Sequence, residues 1–268
     1  MLDCTTAGDR VVKTVCGALC VAFLAAMGIG CERVDLNTYY TSAERMDKGL
    51  VVILPGIEGE SAANQDIRRG LDEGGVPYAL AIYRWGFPLP GIGLFMNQTD
   101  TAGNRRAARE LAERIVLYQT NFPGRPIFLS GHSAGGGEVV FTLEALGELG
   151  AEPVEGAFLL AASISSDYPL HAALRMTRRG LVNVYNPEDD LLNTGAVFFG
   201  NVDGGHAPSA GRTGFQGRYE KLYQLQITGA EIGIFGDPHY IATNASLIAE
   251  RGPLWLNSET WPPPPPGR

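Results

Sequence analysis

The stretch "IFLSGHSAGGGEVVFTLEAL", residues 127–146, decides how the chain folds. It begins with an apolar run typical of a buried strand and ends in a stretch typical of a helix. Between them Ser133 stands at the centre of the pattern GxSxG, with Gly131 and Gly135 two positions away on either side. Such glycines let strand and helix approach closely around a serine in a strained backbone conformation. The stretch therefore predicts a reactive serine on a sharp strand-to-helix turn, with its hydroxyl oxygen above the sheet.

Two other kinds of glycine-rich loop do not fit these residues. A phosphate-binding loop requires a lysine followed by serine or threonine, and the stretch contains no lysine. A dinucleotide-binding turn requires GxGxxG after the first strand, with an acidic residue about 20 positions further on. A purely structural alternative stays open, in which the glycines only ease the packing of helix on sheet.

The rest of the chain alternates short apolar runs with amphipathic stretches. This order predicts a parallel sheet with helices on both faces, and in such sheets ligands bind at the carboxyl ends of the strands. The chemistry is therefore expected in the loops that follow the strands. The predicted strands are 50–54, 78–83, 127–130, 157–162, 181–185 and 223–227, and the predicted helices include 104–122, 134–149 and 240–251.

The strand, the GxSxG turn and the helix together resemble the nucleophile elbow of the α/β-hydrolase superfamily, and the likeness extends over residues 49–256. The resemblance implies an α/β-hydrolase fold with a mostly parallel central sheet. It also implies that an acid and then a histidine follow Ser133 along the chain. The connections are short, so no large lid domain is expected, and no cofactor or metal is expected either.

Several carboxylates could supply the acid that the resemblance implies. Asp189 fits best, because it follows the strand 181–185 and is followed, after one residue, by two leucines, as is common in the superfamily. Glu188 and Asp190 are close alternatives, and Asp167 would serve if the acid came one strand earlier. Each of these could instead be a solvated loop carboxylate or a helix cap.

The chain has four histidines, and the order of the family favours one of them. His239 follows the last predicted strand and opens the final predicted helix, where the superfamily carries its catalytic histidine. His206 is the main alternative, in a glycine-rich loop without a preceding strand. His171 comes too early in the order, and His132 lies inside the turn and is expected to point away from the serine hydroxyl.

The same resemblance implies an oxyanion hole made by two backbone amides. Ala134 directly follows the nucleophile, and Ile57 follows Pro55-Gly56 at the end of the first strand, where the superfamily commonly has a His-Gly pair. The sequence thus predicts a serine hydrolase in which Ser133, His239 and Asp189 cleave an ester or thioester through an acyl-enzyme. A serine peptidase on the same fold and a non-catalytic envelope or binding protein are the alternatives.

The N-terminal segment has the layout of an export signal. Arg10 and Lys13 precede an uncharged apolar stretch, 14–30, that ends in small residues. All four cysteines fall within the first 31 residues, so the remainder of the chain has neither a disulfide framework nor a Cys-rich metal site. "GIGC" resembles the acylation site of bacterial lipoproteins, which predicts that Cys31 is lipidated and tethers an exported protein to a membrane. An uncleaved anchor or ordinary secretion are the alternatives.

Composition and charge indicate which partners to expect, and the polar and proline-rich segments indicate where the domain ends. The 268 residues are 45% hydrophobic and 19% charged with a net charge of −8, which is typical of a globular protein and argues against nucleic acid as a partner. A small-molecule or lipid acyl substrate is expected. The loop 84–100, with Trp85 and Phe87, could line an acyl pocket, contact a membrane or simply be core. Residues 31–48 are predicted to be a tether, and the proline-rich residues 257–268 a disordered tail.

Overall fold

The structure is a computed structural model and describes residues 38–86, 97–192 and 200–264. Its strands are β1 (Leu50–Leu54), β2 (Ala79–Ile82), β3 (Ile127–His132), β4 (Val154–Leu160), β5 (Thr177–Tyr185) and β6 (Leu222–Gln226). Its α-helices are α1 (Ala43–Lys48), α2 (Ala62–Glu73), α3 (Thr101–Asn121), α4 (Ala134–Glu148), α5 (His171–Arg175), α6 (Ala210–Thr213), α7 (Gly229–Ile232) and α8 (Ala245–Asn257), and a 3₁₀ turn spans Ile241–Thr243.

All six strands pair in parallel, in the order β2-β1-β3-β4-β5-β6. The order reverses at β1, so the connections on its two sides place helices on opposite faces of the sheet. This arrangement is the α/β-hydrolase fold, as the sequence predicts. Each predicted strand overlaps an observed one, and β1 has the predicted bounds.

Helices cover both faces of the sheet, and alternate strand residues feed two apolar cores. Val52 and Leu129 point into the larger core, where they meet α3 and α4. Val51 and Phe128 belong to the other core, which α2 and α8 cover. Burial on both faces explains why the central strands are apolar throughout rather than alternating. The carboxyl ends of the strands are left to the loops that carry the candidate site.

Both ends of the described chain pack against the domain. In the segment predicted to be a tether, α1 buries Met46, whose carbonyl accepts a hydrogen bond of 2.7 Å from the hydroxyl of Tyr118. In the segment predicted to be a tail, Trp261 is 8% exposed and contacts the rings of Phe128 and Phe158. The apolar residues of these segments recur without a helical or strand period, so neither contact was predictable.

The predicted signal segment, the lipidation site at Cys31 and the end of the proline-rich tail all lie outside the described residues. Among the residues that are described, no helix combines the length and the apolar character required to cross a membrane.

Candidate active site

Ser133 lies in the tight turn between β3 and α4, with φ 55° and ψ −124°. A methyl group at Gly131 would overlap the carbonyl oxygen of Gly135, and one at Gly135 would overlap the carbonyl oxygen of Leu54. Both glycines are therefore required by the close approach of strand and helix, as the GxSxG pattern predicts. The turn presents Ser133 above the sheet, where its side chain is largely buried in the surrounding loops.

Of the candidate acids, only Asp189 contacts a histidine. Its Oδ2 lies 2.7 Å from Nδ1 of His239, and its Oδ1 accepts a hydrogen bond of 2.9 Å from the backbone N–H of Leu192. Asp189 is fully buried, whereas Glu188 and Asp190 on either side of it are exposed. Asp167, the candidate from the preceding connection, is exposed as well.

His239 lies in the loop after β6 and is 2% exposed. Because a carboxylate can only accept, Nδ1 of His239 carries the proton that is shared with Asp189, and Nε2 keeps its lone pair. The backbone N–H of His239 donates to Oδ1 of Asp237 at 3.0 Å. His206 and His171 are exposed, and His171 contacts the ring of Tyr219 instead.

The structure brings the serine turn and the histidine loop into direct contact. The rings of His132 and His239 lie 4.7 Å apart, although the hydroxyl of Ser133 makes no hydrogen bond to another described residue. Bonds between nucleophile and base are often long without substrate and shorten in the reacting complex. The acid–histidine contact is thus formed at the carboxyl edge of the sheet, and the ring of His239 lies against the residue that directly precedes Ser133.

The two predicted oxyanion donors stand at the ends of neighbouring strands. Neither the amide of Ile57 nor that of Ala134 donates a hydrogen bond to another of the residues described. The loop that carries Ile57 is fixed by side chains, since Nε1 of Trp85 donates to the Pro55 carbonyl at 2.7 Å and Nδ2 of Asn97 donates to the Ile57 carbonyl at 3.0 Å. Two N–H groups thus remain available to an added acceptor.

Burial shifts the pKa of two aromatic neighbours of His239. The pKa of His132 is lowered to about 3, mainly by burial and then by the electrostatic interaction with the neighbouring His239, so this ring is neutral at ordinary pH. The pKa of Tyr240 is raised, mainly by burial and then by the carboxylates of Glu58 and Asp237. The uncharged ring of His132 places no positive charge beside His239.

Within the described ranges no three His, Cys, Asp or Glu side chains are grouped closely enough to bind a metal ion. Of the loop 84–100, Trp85 lies in the described part, where it is buried, while Phe87, Leu94, Phe95 and Met96 lie outside it.

Comparison with known proteins adds structural neighbours at low identity. No protein-family model matches the chain, and no curated protein matches it either. Among solved structures, it is similar to Est1E from Butyrivibrio proteoclasticus with bound ferulic acid, at 14% identity, 81% coverage of this chain, 90% of that chain and a TM-score of 0.49. The esterase domain of a Rhodothermus marinus protein shares 15% identity, with 83% and 90% coverage and a TM-score of 0.45. RedJ, a thioesterase of the prodiginine pathway in Streptomyces coelicolor, shares 15%, with 76% and 84% coverage and a TM-score of 0.43.

These likenesses concern the fold of the chain. Sequence reasoning overlooked two side chains at the candidate site. Asn186 lies between the acid and histidine loops, and Nε2 of His132 contacts the backbone of His239. The sequence offers one signal for each, since Asn186 directly follows β5 ahead of the acid and His132 adjoins the nucleophile. Neither signal predicts which backbone atom the side chain contacts.

Proposed function

We propose that this chain is a serine hydrolase that cleaves a carboxylic ester or thioester through an acyl-enzyme. The observation that carries the proposal is the 2.7 Å contact between Nδ1 of His239 and Oδ2 of Asp189, which leaves Nε2 as a free base beside the strained serine turn. Serine, acid and histidine follow one another along the chain in the order of the α/β-hydrolase superfamily.

In the proposed reaction Oγ of Ser133 attacks the acyl carbonyl carbon while Nε2 of His239 accepts the hydroxyl proton. The carboxylate of Asp189 stabilises the imidazolium, and the amides of Ile57 and Ala134 bind the oxyanion. The tetrahedral intermediate expels the alcohol or thiol, which takes the proton from His239. Water then attacks the acyl-serine with His239 again as base, and the carboxylic acid leaves as Ser133 recovers its proton.

The surroundings of the site favour an apolar acyl substrate. Three exposed apolar side chains lie on the loops of the acid and the histidine: Leu191 at 50%, Phe235 at 90% and Tyr240 at 41%. Apolar side chains exposed beside a catalytic centre are typical of sites that bind small molecules or lipids. We therefore propose a small-molecule or lipid acyl substrate without a strong negative charge.

The test is labelling with a fluorophosphonate probe together with hydrolysis of 4-nitrophenyl and thioester substrates of increasing chain length. We expect wild type to label and to hydrolyse, and Ser133→Ala to lose labelling and about 10⁴-fold or more of kcat. The matched control is Ser130→Ala, a buried serine of the same strand, which should keep both. Folded wild type that neither labels nor hydrolyses would contradict the proposal, and cleavage of peptides in preference to esters would favour a peptidase.

We also propose that the chain is exported and is tethered to a bacterial envelope membrane by acylated Cys31. The support is the basic and apolar layout of residues 10–30 and the cysteine that follows it. Mass spectrometry of the mature protein tests this, because acylation adds lipid mass to a chain that begins at Cys31. A free N-terminus at another residue would exclude lipidation.

A further inference from the structure

His132, the residue before the nucleophile, makes one polar contact among the described residues, and that contact is with the backbone of the candidate base His239. Its side chain is fully buried, and Nε2 lies 3.2 Å from the carbonyl oxygen of His239. Because a carbonyl can only accept, Nε2 carries the proton and donates it. Nδ1 of His132 then has a bare lone pair, and it has no hydrogen-bond partner among the described residues.

Compared with an apolar aromatic residue, a histidine at this position adds the N–H donor at Nε2. An apolar aromatic ring would fill the same space without burying an unpaired nitrogen, which opposes folding. The ring lies against His239 and Tyr240, with centroid distances of 4.7 and 5.3 Å. Packing there requires an aromatic residue of this size, whereas the hydrogen bond to the carbonyl requires a nitrogen donor.

Asn186 makes a second bond to the same loop. Its Nδ2 donates to the carbonyl of Pro238 at 3.2 Å, and its Oδ1 accepts from the backbone N–H of Glu188 at 3.0 Å. Its own carbonyl accepts from the N–H of Asp189 at 3.1 Å. Asn186 thus joins the loop of the acid to the loop of the histidine through one side chain.

We infer that His132 and Asn186 are positioning residues that orient His239 by binding the two successive carbonyls at positions 238 and 239. The inference rests on the proposed function and deepens it. His132 fixes the base relative to the nucleophile, because it directly precedes Ser133 in β3. Asn186 fixes the base relative to the acid, because it binds the backbone of both the histidine loop and the acid loop.

Losing either bond lets the histidine loop shift without removing any reacting group. Misplacement of a reacting group by about 1 Å costs on the order of 10²-fold in rate. The effect should fall on kcat rather than KM, because the substrate does not contact either side chain in this account. It should also weaken the bond between His239 and Asp189, which does not depend on substrate.

The test compares wild type with His132→Phe, His132→Gln and Asn186→Ala, and uses His171→Phe as a matched control at an exposed histidine. We expect His132→Phe and Asn186→Ala to lower kcat on a 4-nitrophenyl ester about 10- to 100-fold, with KM changed by less than about twofold. His132→Gln keeps a nitrogen donor and should recover part of the rate. His171→Phe should match wild type.

A second readout is independent of turnover. The proton on Nδ1 of His239 gives a proton NMR signal that is assigned by its loss in His239→Gln. We expect this signal to broaden by faster exchange in His132→Phe and Asn186→Ala and to be unchanged in His171→Phe.

Folded variants with wild-type kcat and an unchanged signal would overturn the inference. If His132→Phe fails to fold, Asn186→Ala and His132→Gln decide it by the same two measurements. If wild type hydrolyses no ester, the proposed function fails, and the NMR signal still decides whether these two residues hold the imidazole.

Discussion

Ser133 combines a strained backbone conformation with three backbone hydrogen bonds. Its φ of 55° is unfavourable for a residue with a side chain. Its N–H donates to the Leu160 carbonyl at 3.0 Å, and its carbonyl accepts from the amides of Gly136 and Ser163 at 3.0 and 2.9 Å. Strain of this kind persists because the surrounding structure over-determines the conformation.

A residue that relieves the backbone strain at position 133 should raise the free energy of unfolding. We expect Ser133→Gly to unfold at higher urea than Ser133→Ala, with a difference of about 1–3 kcal/mol, because glycine tolerates a positive φ and alanine does not. Both variants lack the hydroxyl, so activity does not confound the comparison. Equal unfolding midpoints would show that the turn is not strained in solution.

The choice between Asp189 and Asp190 depends on burial and on one contact. We expect Asp189→Asn to lower kcat by about 10⁴-fold, because an amide no longer holds the imidazole in the tautomer that leaves Nε2 free. Asp190→Asn, a matched change at the exposed neighbour, should leave kcat within about twofold. Steady-state kinetics on one ester measures both variants. A larger loss of kcat in Asp190→Asn than in Asp189→Asn would show that Asp190 is the acid.

At the scale of elements, two glycines of α4 differ in how closely other side chains pack against them. A methyl group at Gly137 would overlap the side chain of Val202, which is fully buried and β-branched and so cannot easily move. The same methyl group at Gly147 would meet Met176 at 3.4 Å, an ordinary contact with a flexible side chain. One helix thus contains a glycine that packing requires and another that it does not.

The two alanine variants should therefore change stability in opposite directions. We expect Gly137→Ala to lower the free energy of unfolding by about 1–3 kcal/mol through overpacking. Gly147→Ala should raise it by up to about 1 kcal/mol, because alanine has the higher helix propensity. Urea unfolding of both variants measures this, and a stable Gly137→Ala would mean that the loop of Val202 can move away.

The elements also show what the sequence could and could not predict. The sequence predicts all six strands: the central ones are buried on both faces and are mostly apolar runs, whereas β6 is only partly buried and carries two exposed glutamines between and after its apolar residues. The early part of β5 was missed, because Arg178 and Arg179 interrupt the apolar run and pair with Glu155 of β4. Helix α2 was not predicted either, because its buried residues include polar Asn64 and Arg68, which makes its buried face look less apolar. The final helix was predicted for 240–251 but begins at Ala245 and continues past Pro253.

The candidate site divides in the same way. Ser133, Asp189 and His239 could be picked out because motif spacing and chain order carry information about them. His132 and Asn186 could not, because each acts through a backbone carbonyl whose position only the folded loops define. Their roles depend on where β3, β5 and β6 end relative to one another in the sheet.

At the scale of the whole molecule, one buried carboxyl should influence stability across the pH range. Glu138 on α4 is fully buried, and neither of its carboxylate oxygens has a hydrogen-bond partner in the described part of the chain. Burial raises the pKa of Glu138 well above its usual value, and the charge of Arg105 only partly opposes this shift. The folded protein therefore retains a proton that the unfolded chain loses.

Linkage gives the sign of the pH dependence. Above the ordinary pKa of 4.5, the folded state binds more protons at Glu138 than the unfolded state, so the contribution of this group to stability falls as pH rises towards its folded pKa. Glu138→Gln has nearly the same shape and no titration. We expect the variant to gain on wild type by up to about 1.4 kcal/mol per pH unit within that range, and to differ little in slope below pH 4.5.

Urea unfolding of wild type and Glu138→Gln between pH 4 and pH 8 measures that gain directly. Glu113→Gln, an exposed carboxylate on α3, controls for the loss of one negative charge from a chain of net charge −8. Because the difference between two proteins is followed, the titration of all other groups cancels. A difference in unfolding free energy between wild type and Glu138→Gln that stays constant across the range would contradict the prediction. It would mean that the carboxyl group contacts water or a hydrogen-bond partner rather than being buried without one.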